Sequence, residues 1–405
     1  MEVIADQRLP GASIAHADTK IIPSIGASER YDSNVFISPS QFIPAGKQKW
    51  DLVTSVVPQV DVLTTGRQIV ADVYAGFSGN VFVYNPELNF ITVSAGGVMK
   101  LDGFVGQFIR GLKLQVADTF YYTPEPPAFI TGVKPGITQD PFATGIIAFR
   151  ANTYTNTATL TGDYALSRTV DIRGSYTNSI FRVGQIFTTQ TTQAGAVPVS
   201  FFDTIYQTWS IGPAVRLTRS DAVTMKFQRT SSDSSGEGTE QHFAADGFAA
   251  EYTKTTQDWT ASISGGGTVL EQSGVTFFSG QLSFAGMVDP STRARISITR
   301  QIAPAYFGTG GAYISTAGSA SIERRLSKVL ALTGNVSYGY NEAAPVKILT
   351  FHSFAGAIGM KYAVTRTVST LLSYNYMHFR INQPMDINLL TDRSFVMFTI
   401  TAVWK

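Results

Sequence analysis

Hydrophobic and polar residues alternate with a period of two over most of this chain. Near its end, Val396, Phe398, Ile400, Ala402 and Trp404 take every second position, with Met397, Thr399, Thr401, Val403 and Lys405 between them. Successive side chains of a strand point to opposite faces, so such a run has one oily face and one wetter face. The same period sets Val170, Ile172, Gly174 and Tyr176 against Asp171, Arg173, Ser175 and Thr177. It returns from Leu330 to Tyr340, and in Thr153–Asp163 the odd positions are a row of threonines ending in Asp163. No long stretch carries a 3.6-residue period with caps, so helices are not expected.

About 18 segments of this kind fit the strand length of a transmembrane barrel. They begin near Lys20, Asp51, Gln68, Asn89, Gln107, Phe149, Thr169, Thr204, Ala222, His242, Asp258, Val275, Thr292, Ala312, Val329, Thr350, Thr367 and Arg393. The connections sort by length. After even-numbered segments they are short, as in Thr64–Arg67, Leu166–Arg168, Arg219–Asp221, Leu326–Lys328 and Thr365–Arg366. After odd-numbered ones they are mostly longer, as in Tyr31–Trp50, Tyr122–Ala148, Gly184–Asp203, Ser231–Gln241, Ile302–Gly311 and Asn382–Asp392. Tight turns at one end and long loops at the other are the signature of an outer-membrane barrel. The expected fold is therefore all-β, a single antiparallel transmembrane β-barrel of residues 20–405, with residues 1–19 a short periplasmic extension. The last strand, with Phe398, Ile400 and Trp404 facing lipid, is expected to close the wall by pairing with the strand near Lys20–Ser28, which leaves no free edge. Tyr121, Tyr122, Tyr154, Tyr164, Trp209, Tyr374 and Tyr376 lie near strand ends, where aromatic girdles meet the membrane interfaces.

Composition agrees with this reading. Charged residues are 15%, aromatics 12%, and there are 36 glycines. No run approaches the roughly 20 apolar residues of a membrane-spanning helix. A net charge of +2 gives no global signal for nucleic acid. With no cysteine, the chain has no disulfide, thiolate metal site, iron–sulfur cluster or covalent haem attachment. Residues 1–20 lack a charged stretch followed by an apolar one, so no signal peptide is legible; a sequence numbered from near the mature end is expected.

Alternation assigns Arg173, Arg216, Lys226, Arg293, Arg295, Arg325 and Lys361 to the lumen, mostly toward the short-turn end, against Asp163, Asp171 and Glu323. Such a basic belt either attracts anions or forms salt bridges that hold the wall. The loop 122–148 carries Pro124, Pro126, Pro127, Phe129, Pro135 and Phe142, stiff and apolar enough to fold inward as a constriction or to pack outside on its neighbours. Small and hydroxylated residues such as Ser315, Ser319 and Ser321 fill other inward positions, suiting a watery pore or a partner-filled one. His16, His242, His352 and His378 show no metal spacing and no paired nucleophile, so catalysis is not expected. The acidic, Gly-rich Ser231–Gln241 lacks the ordered ligand spacing of a calcium loop. No cofactor is called for.

One stretch carries a family likeness. Ile22-Pro23-Ser24-Ile25-Gly26-Ala27-Ser28-Glu29-Arg30-Tyr31-Asp32-Ser33-Asn34-Val35-Phe36, then Trp50–Val60 and Gly66-Arg67, resemble the outer-membrane porins often encoded with exopolysaccharide or capsule systems. The resemblance covers about the first 70 residues. It implies passage of a secreted polysaccharide across the bacterial outer membrane and transfers no catalytic residues. The expected function is thus a channel for solutes or polysaccharide, embedded in outer-membrane lipid. The alternative is a structural barrel that houses or anchors a periplasmic or lumen-filling protein, such as a cytochrome or surface lipoprotein.

Overall fold

Eighteen antiparallel strands form one closed sheet in a computed structural model that describes residues 18–125, 150–186, 201–236, 239–306, 311–347, 349–382 and 388–404. The strands are β1 (Asp18–Asp32), β2 (Asp51–Thr65), β3 (Val70–Phe82), β4 (Phe90–Lys100), β5 (Leu112–Thr123), β6 (Ala151–Ala165), β7 (Val170–Ile186), β8 (Asp203–Arg216) and β9 (Asp221–Gly236). They continue as β10 (Thr239–Thr255), β11 (Trp259–Leu270), β12 (Thr276–Asp289), β13 (Thr292–Pro304), β14 (Ala312–Arg325), β15 (Leu330–Ala344), β16 (Thr350–Ala363), β17 (Val368–Asn382) and β18 (Asn388–Val403). Each pairs with its sequence neighbour. Closure comes from β18 on β1, in register from Ser24↔Val403 to Asp32↔Phe395, with Trp404 N donating to Pro23 O at 3.0 Å. With every edge paired, the backbone is satisfied within the sheet, as a lipid-embedded wall requires.

Alternation sorts the faces as the sequence implies. On β18, Val396, Phe398 and Ile400 are exposed on the outer face while Phe395 and Thr399 are buried on the inner one. The short-turn end is held by a repeated local device. Ser167, Thr218, Thr256, Ser327 and Thr365 each accept backbone N–H bonds from two or three residues ahead. A hydroxyl at the first turn position thus stands in for a missing backbone acceptor. Pro58 and Pro213 sit inside strands, and the ladders of β2 with β3 and of β8 with β9 are each interrupted there, because proline has no N–H to give.

Four expectations are corrected. β5 starts at Leu112 rather than near Gln107, because residues 102–105 form a helical turn, α1 (Asp102–Val105). Asp102 Oδ1 accepts from Leu114 N at 3.0 Å, and Phe104 N donates to Gln68 O at 3.1 Å, so this connection folds onto the neighbouring turn. β18 starts at Asn388, five residues before Arg393. The described residues of Ser231–Gln241 are strand rather than loop: β9 reaches Gly236 and β10 begins at Thr239, with the ladder unbroken from Ala244↔Ser231 to Thr239↔Gly236. Tyr121 does not belong to a girdle; it points inward, 6% exposed, with its hydroxyl 3.4 Å from that of Tyr74. The expected extension falls almost wholly in residues 1–17, and Lys405 also lies outside the described residues.

Candidate functional site: the lumen

The two halves of the lumen differ. Toward the long-loop end, inward side chains of β1 to β6 are buried in turn: Ser28, Arg30 and Asp32; Asp51, Val53 and Ser55; Ser78, Asn80 and Phe82; Thr92 and Ser94; Thr119, Tyr121 and Thr123; Thr153, Thr155 and Thr157. The chain fills its own mouth here. Val35 and Phe36, just after β1, pack against Val53, Phe82 and Leu88. On the other side, Tyr306 follows β13 and packs its ring, tilted, against Phe181 of β7, with centroids 4.4 Å apart, while Phe202 N donates to Tyr306 O at 2.9 Å. That segment makes a chord across the mouth, backed by Tyr313, Phe351, Phe379 and Ile381.

At the centre of the filled half is a knot of buried charge that the sequence did not reveal. Glu125 follows β5, and Arg30 approaches it with two nitrogens, at 3.0 and 3.1 Å. Arg150, just before β6, donates to Glu125 Oε1 at 3.0 Å and to Val35 O at 2.8 Å. Arg393 of β18 binds Asp32 of β1 through Nε at 3.1 Å and reaches Glu125 Oε2 at 3.4 Å. All five side chains are 5% exposed or less. Phe395 lies under both Arg30 and Arg393, and Arg150 lies over Phe82 and Phe90. Burial pushes the Glu125 carboxyl up, but Arg30, Arg393 and Arg150 outweigh it and hold the group well below the usual carboxylate range. The knot ties the β1–β18 seam to both ends of the connection from β5 to β6. Pro124 is buried beside it. Pro126, Pro127, Phe129, Pro135 and Phe142 lie outside the described residues.

Toward the short-turn end the lumen is open, and the basic belt divides in two. Arg173 pairs with Asp163 at 3.3 Å, Arg216 with Asp171 at 2.6 Å, and Lys226 with Glu251 at 3.8 Å. These three brace the wall. Arg293 and Arg295 on β13, Arg325 on β14 and Lys361 on β16 are exposed and make no ion pair among the described residues. They share one side of the lumen. Arg325 and Lys361 are both register partners of Ala331, so two strand spacings, about 10 Å, separate them. Glu323 is the register partner of Arg293. Other inward positions carry hydroxyls that bond across strands, as in Ser175–Ser210 at 2.8 Å, Ser262–Ser283 at 2.7 Å and Thr159–Thr177 at 3.2 Å.

On the outer face at the long-loop end, His352 Nδ1 is 2.7 Å from the Tyr338 hydroxyl, and His378 Nδ1 is 2.8 Å from Asp392. Both histidines look away from the lumen, among the ring contacts Tyr340–His352 and Phe354–Tyr376.

A closed 18-stranded sheet with an apolar outer belt and a polar interior has the architecture of an outer-membrane β-barrel. No protein-family model matches the chain, and no curated protein matches it. Solved structures that resemble it include opdK of Pseudomonas aeruginosa, 8% identical, covering 95% of this chain and 99% of that one at a TM-score of 0.43. OccK2 (OpdF) of the same organism, solved with glucuronate, is 8% identical over 95% of this chain and 98% of that one, at 0.42. The siderophore receptor PirA of Pseudomonas aeruginosa is 8% identical over 95% and 80%, at 0.40.

Proposed function

We propose that the protein is a channel of the bacterial outer membrane that passes small solutes and favours anions. The observation that carries this reading is the row of exposed cations that make no ion pair among the described residues, Arg293, Arg295, Arg325 and Lys361, along one side of the open half of the lumen. Charges of one sign on a confined, low-dielectric wall focus the potential and raise the local concentration of counter-ions. The short-turn end, where they sit, faces the periplasm in this class of barrel.

The filled long-loop half favours a small solute. Passage of a secreted polysaccharide is the bulkier form of the same reading and has the N-terminal resemblance as its support. A barrel built to sheath another protein would need that space, which Val35, Phe36 and Tyr306 of the chain itself occupy. The test is the reversal potential of the purified protein in a planar bilayer under a potassium chloride gradient. The wild type should prefer chloride, and Arg293→Glu with Arg295→Glu should reduce or invert that preference. An unchanged reversal potential in the double variant overturns the reading.

A further inference from the structure

One ladder of the wall parts before its strands end. β12 and β13 are in register from Asp289↔Thr292 to Gly280↔Arg300. Toward the long loops β12 then runs on along β11 to Thr276, and β13 runs on along β14 to Pro304, four residues each. No other ladder among the described residues parts while both strands continue this far. Pro304 suits such an edge, since it has no N–H to offer a neighbour. The side chains show which strand leaves. Ile302 shares the parity of Ile296 and Ile298, which are exposed on the outer face. Yet it is 5% exposed and belongs to a cluster with Phe243, Leu270 and Phe277, all at inward positions. The end of β13 therefore turns into the barrel and leaves a notch in the wall beside β12.

The notch joins two unlike surfaces. On the lumen side it meets a cavity lined by Ser279 and Gln281 of β12, Arg300 of β13, and Lys226, Gln228 and Ser264 from the strands before. Room exists there because the inward positions of β10 carry only Gly247 and Ala249. Lys226 meets Glu251 at no less than 3.8 Å. On the outer side, Phe278, Leu282 and Ile298 are exposed and apolar. The ring of Phe278 lies over Gly280 and Gly265, register partners at which an added Cβ would stand 3.0 and 3.4 Å from it. Arg300 marks the height. It donates to Thr316 Oγ1 at 2.7 Å and lies 3.7 Å from Glu342. Paired charge at that level, with bare Ile298 and Leu282 below it, puts the notch at the outer edge of the apolar band.

We propose that the notch between β12 and β13 is a lateral opening through which a single-chain anionic amphiphile passes between the lumen and the outer leaflet. Its head lodges in the cavity, where Gln228, Gln281 and Ser264 replace the water it gives up. Its chain stays outside on Phe278, Leu282 and Ile298, so no apolar chain has to enter the polar lumen. Arg300 at the threshold and Lys226 within favour a negative head. This route goes beyond the axial passage of water-borne solutes and does not depend on the ion preference.

The absence of native cysteine makes the test direct. Ser264→Cys places a thiol in the cavity, and Thr161→Cys places one on the inner face of β6, away from the notch. The full-length proteins in lipid nanodiscs are treated with a water-borne probe, sulfonatoethyl methanethiosulfonate, or a lipid-borne one, hexadecyl methanethiosulfonate. Both thiols should react with the first. The second should reach Ser264→Cys at least tenfold faster than Thr161→Cys. Ser279→Trp, which fills the cavity, should lower the lipid-borne rate at Ser264→Cys at least tenfold relative to the water-borne rate. Decanoate should slow the lipid-borne reaction more than decyltrimethylammonium does at equal concentration. Equal lipid-borne rates at the two thiols, no lipid-borne reaction at either, or stronger competition from the cation overturns the proposal. If the Ser279→Trp protein fails to form a barrel, the two single-cysteine proteins decide alone.

Discussion

Replacing Glu125 by glutamine removes the negative charge that three arginines share and nearly preserves the shape of the side chain. Arg30, Arg150 and Arg393 lie 3.0 to 3.4 Å from the carboxylate, and none has water to turn to. Removing one partner of a buried ion pair costs about 3–5 kcal/mol, because the other charge is left uncompensated. Asp32 still serves Arg393, and the amide oxygen can still accept one bond, so the lower end, about 3 kcal/mol, is expected. The assay is equilibrium unfolding in urea of protein refolded into lipid vesicles. Glu87→Gln is the control: Glu87 pairs with Lys47 with both side chains well exposed, which is worth about 1 kcal/mol or less. pH supplies a second arm. The folded-state pKa of Glu125 is depressed, so its contribution is complete above the unfolded value, about 4.3, and is lost only as pH falls through the folded value. The gap between wild type and variant should therefore hold from pH 7 to about pH 5 and close only in strong acid. A loss no larger than that of Glu87→Gln, or a gap that closes at mildly acidic pH, refutes the ionic account of the knot.

Two further tests follow from the wall and its turns. Ile400→Arg, on the outer face of β18, should cost about 2–4 kcal/mol in the same unfolding assay, and Thr401→Arg, on the inner face, much less; equal costs contradict the assignment of faces. At Gly103 an added Cβ would stand 1.9 Å from Arg67 O, so Gly103→Ala should displace α1 from the neighbouring turn at about 1–3 kcal/mol, read as lost hydrogen-exchange protection at Phe104.

The strands were legible because a wall with lipid on one side and a polar interior on the other must alternate at every position, and residues such as Val170–Thr177 and Leu330–Tyr340 do so without interruption. β5 was misplaced because α1 is fixed by a single side chain, Asp102, and by contact with a different turn, neither of which leaves a periodic mark. Tyr121 was misassigned by residue type, although its position relative to the outward Tyr122 already put it inside. The knot was missed for a different reason. Its partners are 95 and 361 residues apart in Arg30–Glu125 and Asp32–Arg393, and Glu125 and Arg150 lie outside any strand. A signal was nonetheless present: Arg30, Asp32 and Arg393 all fall at inward positions near the long-loop ends of strands.

The ladder order has a kinetic consequence. Every pairing but one joins strands adjacent in the sequence and linked through a local connection, several of them hydroxyl-capped turns. Such hairpins form at small loop-closure cost. Only β18 on β1 requires the two ends of the chain to find each other, so the slowest search in assembly falls on that seam. Asp32 and Arg393, opposite charges carried on those two edges, stand where that search must end. Their attraction gives the last pairing a register-specific reward that neighbouring hairpins do not need.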